Sequence, residues 1–148
     1  MPGRSSGRRF GIAWLTFAAA LALHVFDEAT HDFLAVYNPT VMAIRARVPW
    51  LPLPTFTFAV WLTGLCAAIA LLFCLSPLAF RRTSWTRIAA WPLGIVVGMF
   101  NAGLHLLSSA YYHRSMPGVY SSPVLLAAAV FLLVSSRSQE STVNAPSP

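Results

Sequence analysis

Apolar residues run along this chain in four long blocks, separated by shorter stretches that are polar or rich in proline. The blocks extend from about Phe10 to His24 or beyond, Phe56 to Phe80, Ile88 to Ala110, and Val119 to Val134. Each approaches the ~20 residues that a helix needs to cross the hydrocarbon of a bilayer. The fourth is short and carries Pro123 near its start, so its boundary is the least sharply drawn. This pattern predicts an all-α membrane protein with four transmembrane helices. A single transmembrane domain would cover 10–136, after a basic N-terminus at 1–9 and before a disordered, Ser-rich tail at 137–148.

The longest connection, from about Thr30 to Pro54, is not a plain linker. It carries Asn38-Pro39, Pro49, Pro52 and Pro54, with Phe33, Val36, Met42, Ile44 and Trp50 between them. That mixture predicts a structured extracytoplasmic cap or a re-entrant segment. The chain shows no internal repeat.

Composition supports the membrane reading. The chain is 57% hydrophobic and only 9% charged, with a mean hydropathy of +0.64, whereas soluble domains carry about 25% charged residues. A net charge of +6 would suggest nucleic acid in a soluble protein. Here the basic residues, all of them arginine, flank the apolar blocks, so nucleic-acid binding is rejected in favour of a topology signal. Arg4, Arg8 and Arg9 precede the first block, Arg81, Arg82 and Arg87 separate the second from the third, and Arg137 follows the fourth. Only Arg45, Arg47 and Arg114 lie in the other two connections. The bias puts both termini on the cytoplasmic side of the cell (plasma or inner) membrane as a multi-pass protein. Trp14, Trp50, Trp85 and Trp91 lie near block ends, as interfacial aromatics do.

Arg8-Arg9-Phe10 ahead of an apolar run also has the form of a signal sequence. No clean small-x-small cleavage site closes the run, and His24, Asp27 and Glu28 stand where one is expected. A first membrane helix with a basic flank is the stronger reading. Cys66 and Cys74 share one block at a helical separation of about 12 Å, too far apart for a mutual disulfide. They read as apolar packing residues.

The chemistry concentrates in two places. The first block ends in His24-Val25-Phe26-Asp27-Glu28, and the third contains Asn101 and His105 at helical spacing. Ionisable groups in or near a bilayer are costly and rarely lack a partner or a task. By helix rise, His24 lies about 21 Å beyond Phe10, while Asn101 and His105 lie about 20 and 26 Å beyond Ile88. Both blocks start at the cytoplasmic side, so the two clusters are expected at comparable depth in the outer half. His24 and Glu28 share one helical face, with Asp27 beside them and Asp32 one turn beyond. Gly94, Gly98, Asn101 and His105 form another stripe, and its Gly94–Gly98 spacing lets a second helix approach closely. These faces are expected to meet, forming a pocket that opens toward the outer leaflet.

These residues resemble the bacterial HXXEE-motif membrane proteins, a family named for its signature. His24-Val-Phe-Asp27-Glu28 is similar to the naming motif, and Asn101-Ala-Gly-Leu-His105 to the family's second motif, Asn-x-x-x-His. The resemblance extends from about Trp14 to Val134 and includes the Pro117-Gly118 entry to the last helix. It departs at Asp27, where the family carries its first Glu; charge survives, but the carboxylate sits one methylene nearer the backbone. The resemblance implies a small integral membrane protein with a His/Glu/Asn site, and it names no substrate.

Three readings of the cluster compete. In the first, Glu28 or Asp27 acts as a general acid or base with a histidine in the complementary role. The second has His24, Glu28 and His105 ligate zinc or non-haem iron, with Asn101 orienting a ligand. In the third, the groups only hydrogen-bond across helices and fix packing. The preferred expectation is an isomerase, cyclase or hydrolase acting on a lipid-soluble small molecule, with His24, Asp27, Glu28, Asn101 and His105 as catalytic residues. A divalent metal is compatible but not required. The alternative is a transport, proton-relay or membrane-assembly protein using the same cluster. Tyr111, Tyr112 and His113 read as an interfacial belt, His31 and Asp32 as solvated residues, and Ser108 and Ser109 as helix packing.

Overall fold

A run of Ala and Leu without proline lets the first helix, α1, extend over Gly3–Thr30 in one unbroken rod. It begins ahead of the apolar block and carries that block into the centre of the molecule. The structure is a computed structural model that describes residues 3–137; the tail from 138 onward, expected to be disordered, lies outside them. At its C-terminus the Thr30 hydroxyl donates to the carbonyl of Phe26 at 2.9 Å. Asp32 then adopts a left-handed conformation, φ 54°, that turns the chain. Asp32 is thus outside the helix and exposed, and it does not continue the His24–Glu28 face.

Next, α2 (Phe33–Arg47) occupies the connection expected to be structured, and it continues helically through Pro39. An extended segment returns from it. Asn38 grips the backbone of Phe56 at both ends, donating to its carbonyl at 2.9 Å and accepting from its N–H at 3.1 Å. The second apolar block forms α3 (Phe58–Cys74), capped by the Thr57 hydroxyl, and the short α4 (Ser76–Phe80).

The third block begins as α5 (Ser84–Pro92) and passes through a π-helical stretch, Leu93–Phe100, into α6 (Asn101–Tyr112). Pro92 has no N–H to bond the preceding turn, and the helix widens immediately after it. The fourth block is α7 (Ser122–Arg137), with Pro123 in its first turn, where a missing N–H is harmless. Among the described residues the fold is all-helical.

The interior helix is α1, which packs on α7, α4 and α3. Its Phe10, Phe17 and Leu21 are buried together with Leu125, Ala129 and Leu132 of α7. Small residues set the spacing. A Cβ on Gly98 would lie 2.4 Å from the Cβ of Ala129 and 3.0 Å from the Phe17 ring, and one on Gly94 would lie 2.7 Å from Leu133. Gly7 and Gly11 make the same close approach to Phe80 of α4.

Trp14 departs from its expected interfacial position. It is buried, and its indole N–H donates to the carbonyl of Leu72 at 2.8 Å, so it joins α1 to α3. Trp50 and Trp85 are exposed. Cys66 and Cys74 face outward from α3 as free thiols rather than packing inside. At the arginine-rich end, Arg82 donates to Ser6 and to the carbonyl of Ser136, linking the α4–α5 turn to α1 and α7. Burial, and then the nearby Arg87 charge, lower the pKa of its guanidinium from the ordinary arginine value.

Two helical runs, Ser6–Thr30 and Ser84–Tyr112, are long and apolar enough to cross a membrane. The apolar helices Phe58–Cys74 and Ser122–Arg137 are shorter.

Candidate functional site

Helix periodicity puts His24 and Glu28 on one face of α1, near its C-terminus, where α6 and the segment leading into α7 close over it. There Glu28 Oε1 lies 3.0 Å from His105 Nε2 and 3.6 Å from His24 Nε2. The two imidazoles meet edge to face, with centroids 4.9 Å apart. All three side chains are buried: His24 is 0% exposed, Glu28 4% and His105 8%. Their ligand-capable atoms lie within 4.8 Å of one another.

Asn101 approaches from the first turn of α6, with Nδ2 at 3.1 Å from His24 Nε2. The amide N–H donates to that ring nitrogen, so His24 carries its own proton on Nδ1. Nδ1 in turn donates to Ser121 Oγ at 2.9 Å. The Ser121 hydroxyl donates to Asp27 Oδ2 at 2.8 Å, and its backbone N–H donates to the same oxygen at 2.9 Å. Each proton thereby has an acceptor, and one histidine tautomer follows from the set.

Asp27 takes a different place from its neighbour Glu28. It turns toward Ser121 and, through Oδ1, toward His31 Nδ1 at 2.9 Å. His31 is half exposed, and its Nδ1 also lies 2.8 Å from the Asp27 carbonyl. Asp27 thus supports His24 from behind instead of entering the triangle of His24, Glu28 and His105.

Two contributors escaped the sequence reading. Ser121 precedes α7 in a Ser-Ser-Pro run that looks like an ordinary helix start, yet its side chain serves His24 and Asp27. Ser122 takes the local role, donating to the Gly118 carbonyl at 2.7 Å. Gly118, noted only as part of a helix entry, has φ +83° and lies over both imidazoles. A Cβ there would stand 3.0 Å from atoms of both His24 and His105. Phe33 of α2 covers the third side, its ring 5.7 Å from that of His105.

Tyr111, Tyr112 and His113 are exposed at the end of α6, away from this cluster. Two surface depressions lie elsewhere, one lined by Arg87 and Trp91 and one by Thr16 and Phe131. The arrangement at the site can hold a proton between a carboxylate and an imidazole, or present two imidazole nitrogens and a carboxylate to a cation. No family model, curated protein or solved structure matches the chain.

Proposed function

We propose that this chain is a small multi-pass integral membrane protein of the cell membrane that performs acid–base or metal-assisted chemistry on a lipid-soluble small molecule. The membrane part rests on burial. The span Ser6–Thr30 is 61% buried over its most apolar window, as the core helix of a soluble protein would be, but Ser84–Tyr112 is only 22% buried. An apolar helix of that length facing outward supports an apolar surrounding. The proposal retains four membrane crossings, with α3–α4 and α7 as the other two, and cytoplasmic termini on the strength of the arginine bias. Its resemblance to the HXXEE-motif proteins belongs to this proposal as well.

The observation that carries the chemistry is Glu28 between two buried histidines, 3.0 Å from one and 3.6 Å from the other. Glu28 serves as the acid, base or ligand, His24 and His105 are its partners, and Asn101 orients one imidazole. In the proposed topology the site lies in the outer half of the bilayer, where a substrate would enter from lipid. Lipid extracts of cells expressing the protein test this directly. A lipid species converted by the wild type but not by Glu28→Gln is expected; identical extracts would overturn the catalytic reading.

One observation favours a non-enzymatic alternative. His24, Ser121, Asp27 and His31 form a continuous polar chain from a fully buried ring to a half-exposed one. That chain suits a proton relay or a lock between α1 and α7. Proton flux into liposomes, without any product, would select it.

A further inference from the structure

The geometry points to a mononuclear, zinc-class divalent metal centre ligated by His24 Nε2, His105 Nε2 and Glu28 Oε1, with Ser121 and Asp27 as the groups that hold His24 in its ligating tautomer. The inference concerns the same site as the proposed function and names its cofactor.

Spacing is the first support. Ligands on a tetrahedral zinc, each about 2.0–2.1 Å from the metal, stand about 3.3 Å from one another. The Glu28 oxygen already stands 3.0 Å from one imidazole nitrogen and 3.6 Å from the other. Small side-chain adjustments then suffice to bring the three around one ion.

Donor identity narrows the metal. Two imidazoles and one carboxylate suit zinc and its first-row neighbours. Calcium and magnesium require more oxygen ligands than this site offers. The thiols that softer ions prefer, Cys66 and Cys74, face outward from α3. Three protein ligands also leave one position open for solvent or substrate, the pattern of catalytic zinc sites.

The surroundings supply a further argument. Metal-ligating histidines almost always donate their second N–H to a fixed acceptor, which keeps the other nitrogen free to ligate. His24 does so, through Nδ1 to Ser121, and Ser121 is itself held by Asp27. The lone pair left on Nε2 points to the side where Glu28 and Asn101 lie. In the structure that lone pair accepts the Asn101 amide N–H, which a metal ion would displace.

Charge leads to the same conclusion. Asp27 and Glu28 are adjacent and buried, and among the described residues their ion-pair partners are histidines alone. A divalent ion in the triangle would place positive charge directly beside Glu28.

The test is cobalt titration of the full chain, purified in nanodiscs and stripped with chelator. One Co²⁺ per chain is expected, with the visible bands of a four- or five-coordinate site, displaced by Zn²⁺. His24→Ala and His105→Ala should each abolish the bands. Ser121→Ala keeps all three ligands and should weaken binding about 10- to 100-fold. Circular dichroism shows whether each variant retains its helices, and X-ray absorption of zinc-loaded wild type, which needs no variant, should report two imidazoles. Failure of the wild type to bind Co²⁺, or wild-type affinity in His24→Ala and His105→Ala, would overturn the inference. Turnover by chelated, metal-free protein would overturn the metal centre and leave the catalytic proposal standing. Stoichiometric metal without turnover would do the reverse.

Discussion

His24 Nδ1 donates to Ser121 Oγ at 2.9 Å across 97 positions of sequence, and with the Asn101 N–H on Nε2 this bond sets which imidazole nitrogen faces Glu28. It joins the end of α1 to the start of α7. The bond lies on the side of His24 away from the triangle, so it can be altered without touching Glu28 or His105.

Ser121→Ala is therefore expected to remove an acceptor from His24 Nδ1 and a donor from Asp27 Oδ2. Leaving a buried polar group unpaired costs about 1–3 kcal/mol. Thermal unfolding in detergent should show that loss, and ¹⁵N shifts of His24 should show its tautomers mixing. Ser121→Thr keeps the hydroxyl and should restore the single tautomer. Unchanged His24 shifts in Ser121→Ala would remove the hydroxyl from the account of the site.

Gly118 is expected to tolerate no side chain. Alanine there meets both imidazoles at 3.0 Å and must adopt φ near +83°. A non-glycine residue in that backbone region costs about 1–3 kcal/mol before any contact is considered. Gly118→Ala should lower the melting temperature and shift the ring proton resonances of His24 and His105 together. A variant with unshifted rings would show that Gly118 does not close the site.

Glycine-to-alanine changes should differ in sign along the bundle. At Gly98 a new Cβ lies 2.4 Å from that of Ala129, so Gly98→Ala forces the π-helical stretch and α7 apart and is expected to cost about 1–3 kcal/mol. At Gly64, inside α3, a Cβ meets nothing within 4 Å. Gly64→Ala should be stabilising by about 0.5–1 kcal/mol, from helix propensity. Paired melting curves check both, and equal effects would contradict the packing described.

Topology is open to cysteine labelling in a background lacking Cys66 and Cys74. Ser115 and Ser84 are both exposed, at opposite ends of the helical run that contains Asn101. A membrane-impermeant maleimide should label Ser115→Cys in intact cells and Ser84→Cys only after permeabilisation. The reverse pattern would invert the proposed orientation, and labelling of both in intact cells would exclude a membrane between them.

Much of the helical layout was legible because apolar runs and punctuating residues act locally. The block from Ile88 to Ala110 lies inside Ser84–Tyr112, and the block from Phe56 to Phe80 corresponds to α3 and α4. The Gly94–Gly98 spacing likewise predicts a helix contact, and α7 fills it with Leu133 and Ala129. Trp14 shows where such reading stops. Its position near a block end suggests an interface, but the depth of α1 inside the bundle decides its burial and its bond to Leu72. The same holds for Asp27 and Glu28, which are neighbours in sequence but turn to different partners, one to Ser121 and the other to His105.

The amino-acid sequence by itself determined the long apolar blocks and the helical register that puts His24 over Glu28 and Asn101 over His105. Those features follow from hydrophobicity and a fixed rise and turn per residue, which need no knowledge of distant chain. Tertiary structure alone decided that Ser121 would orient His24, that Gly118 would lie over both rings, and that Asp27 would stand behind the site. Such choices depend on which helices become neighbours and how they are rotated, and a serine ahead of a Ser-Pro helix start carries no local mark of the histidine it meets 97 positions away.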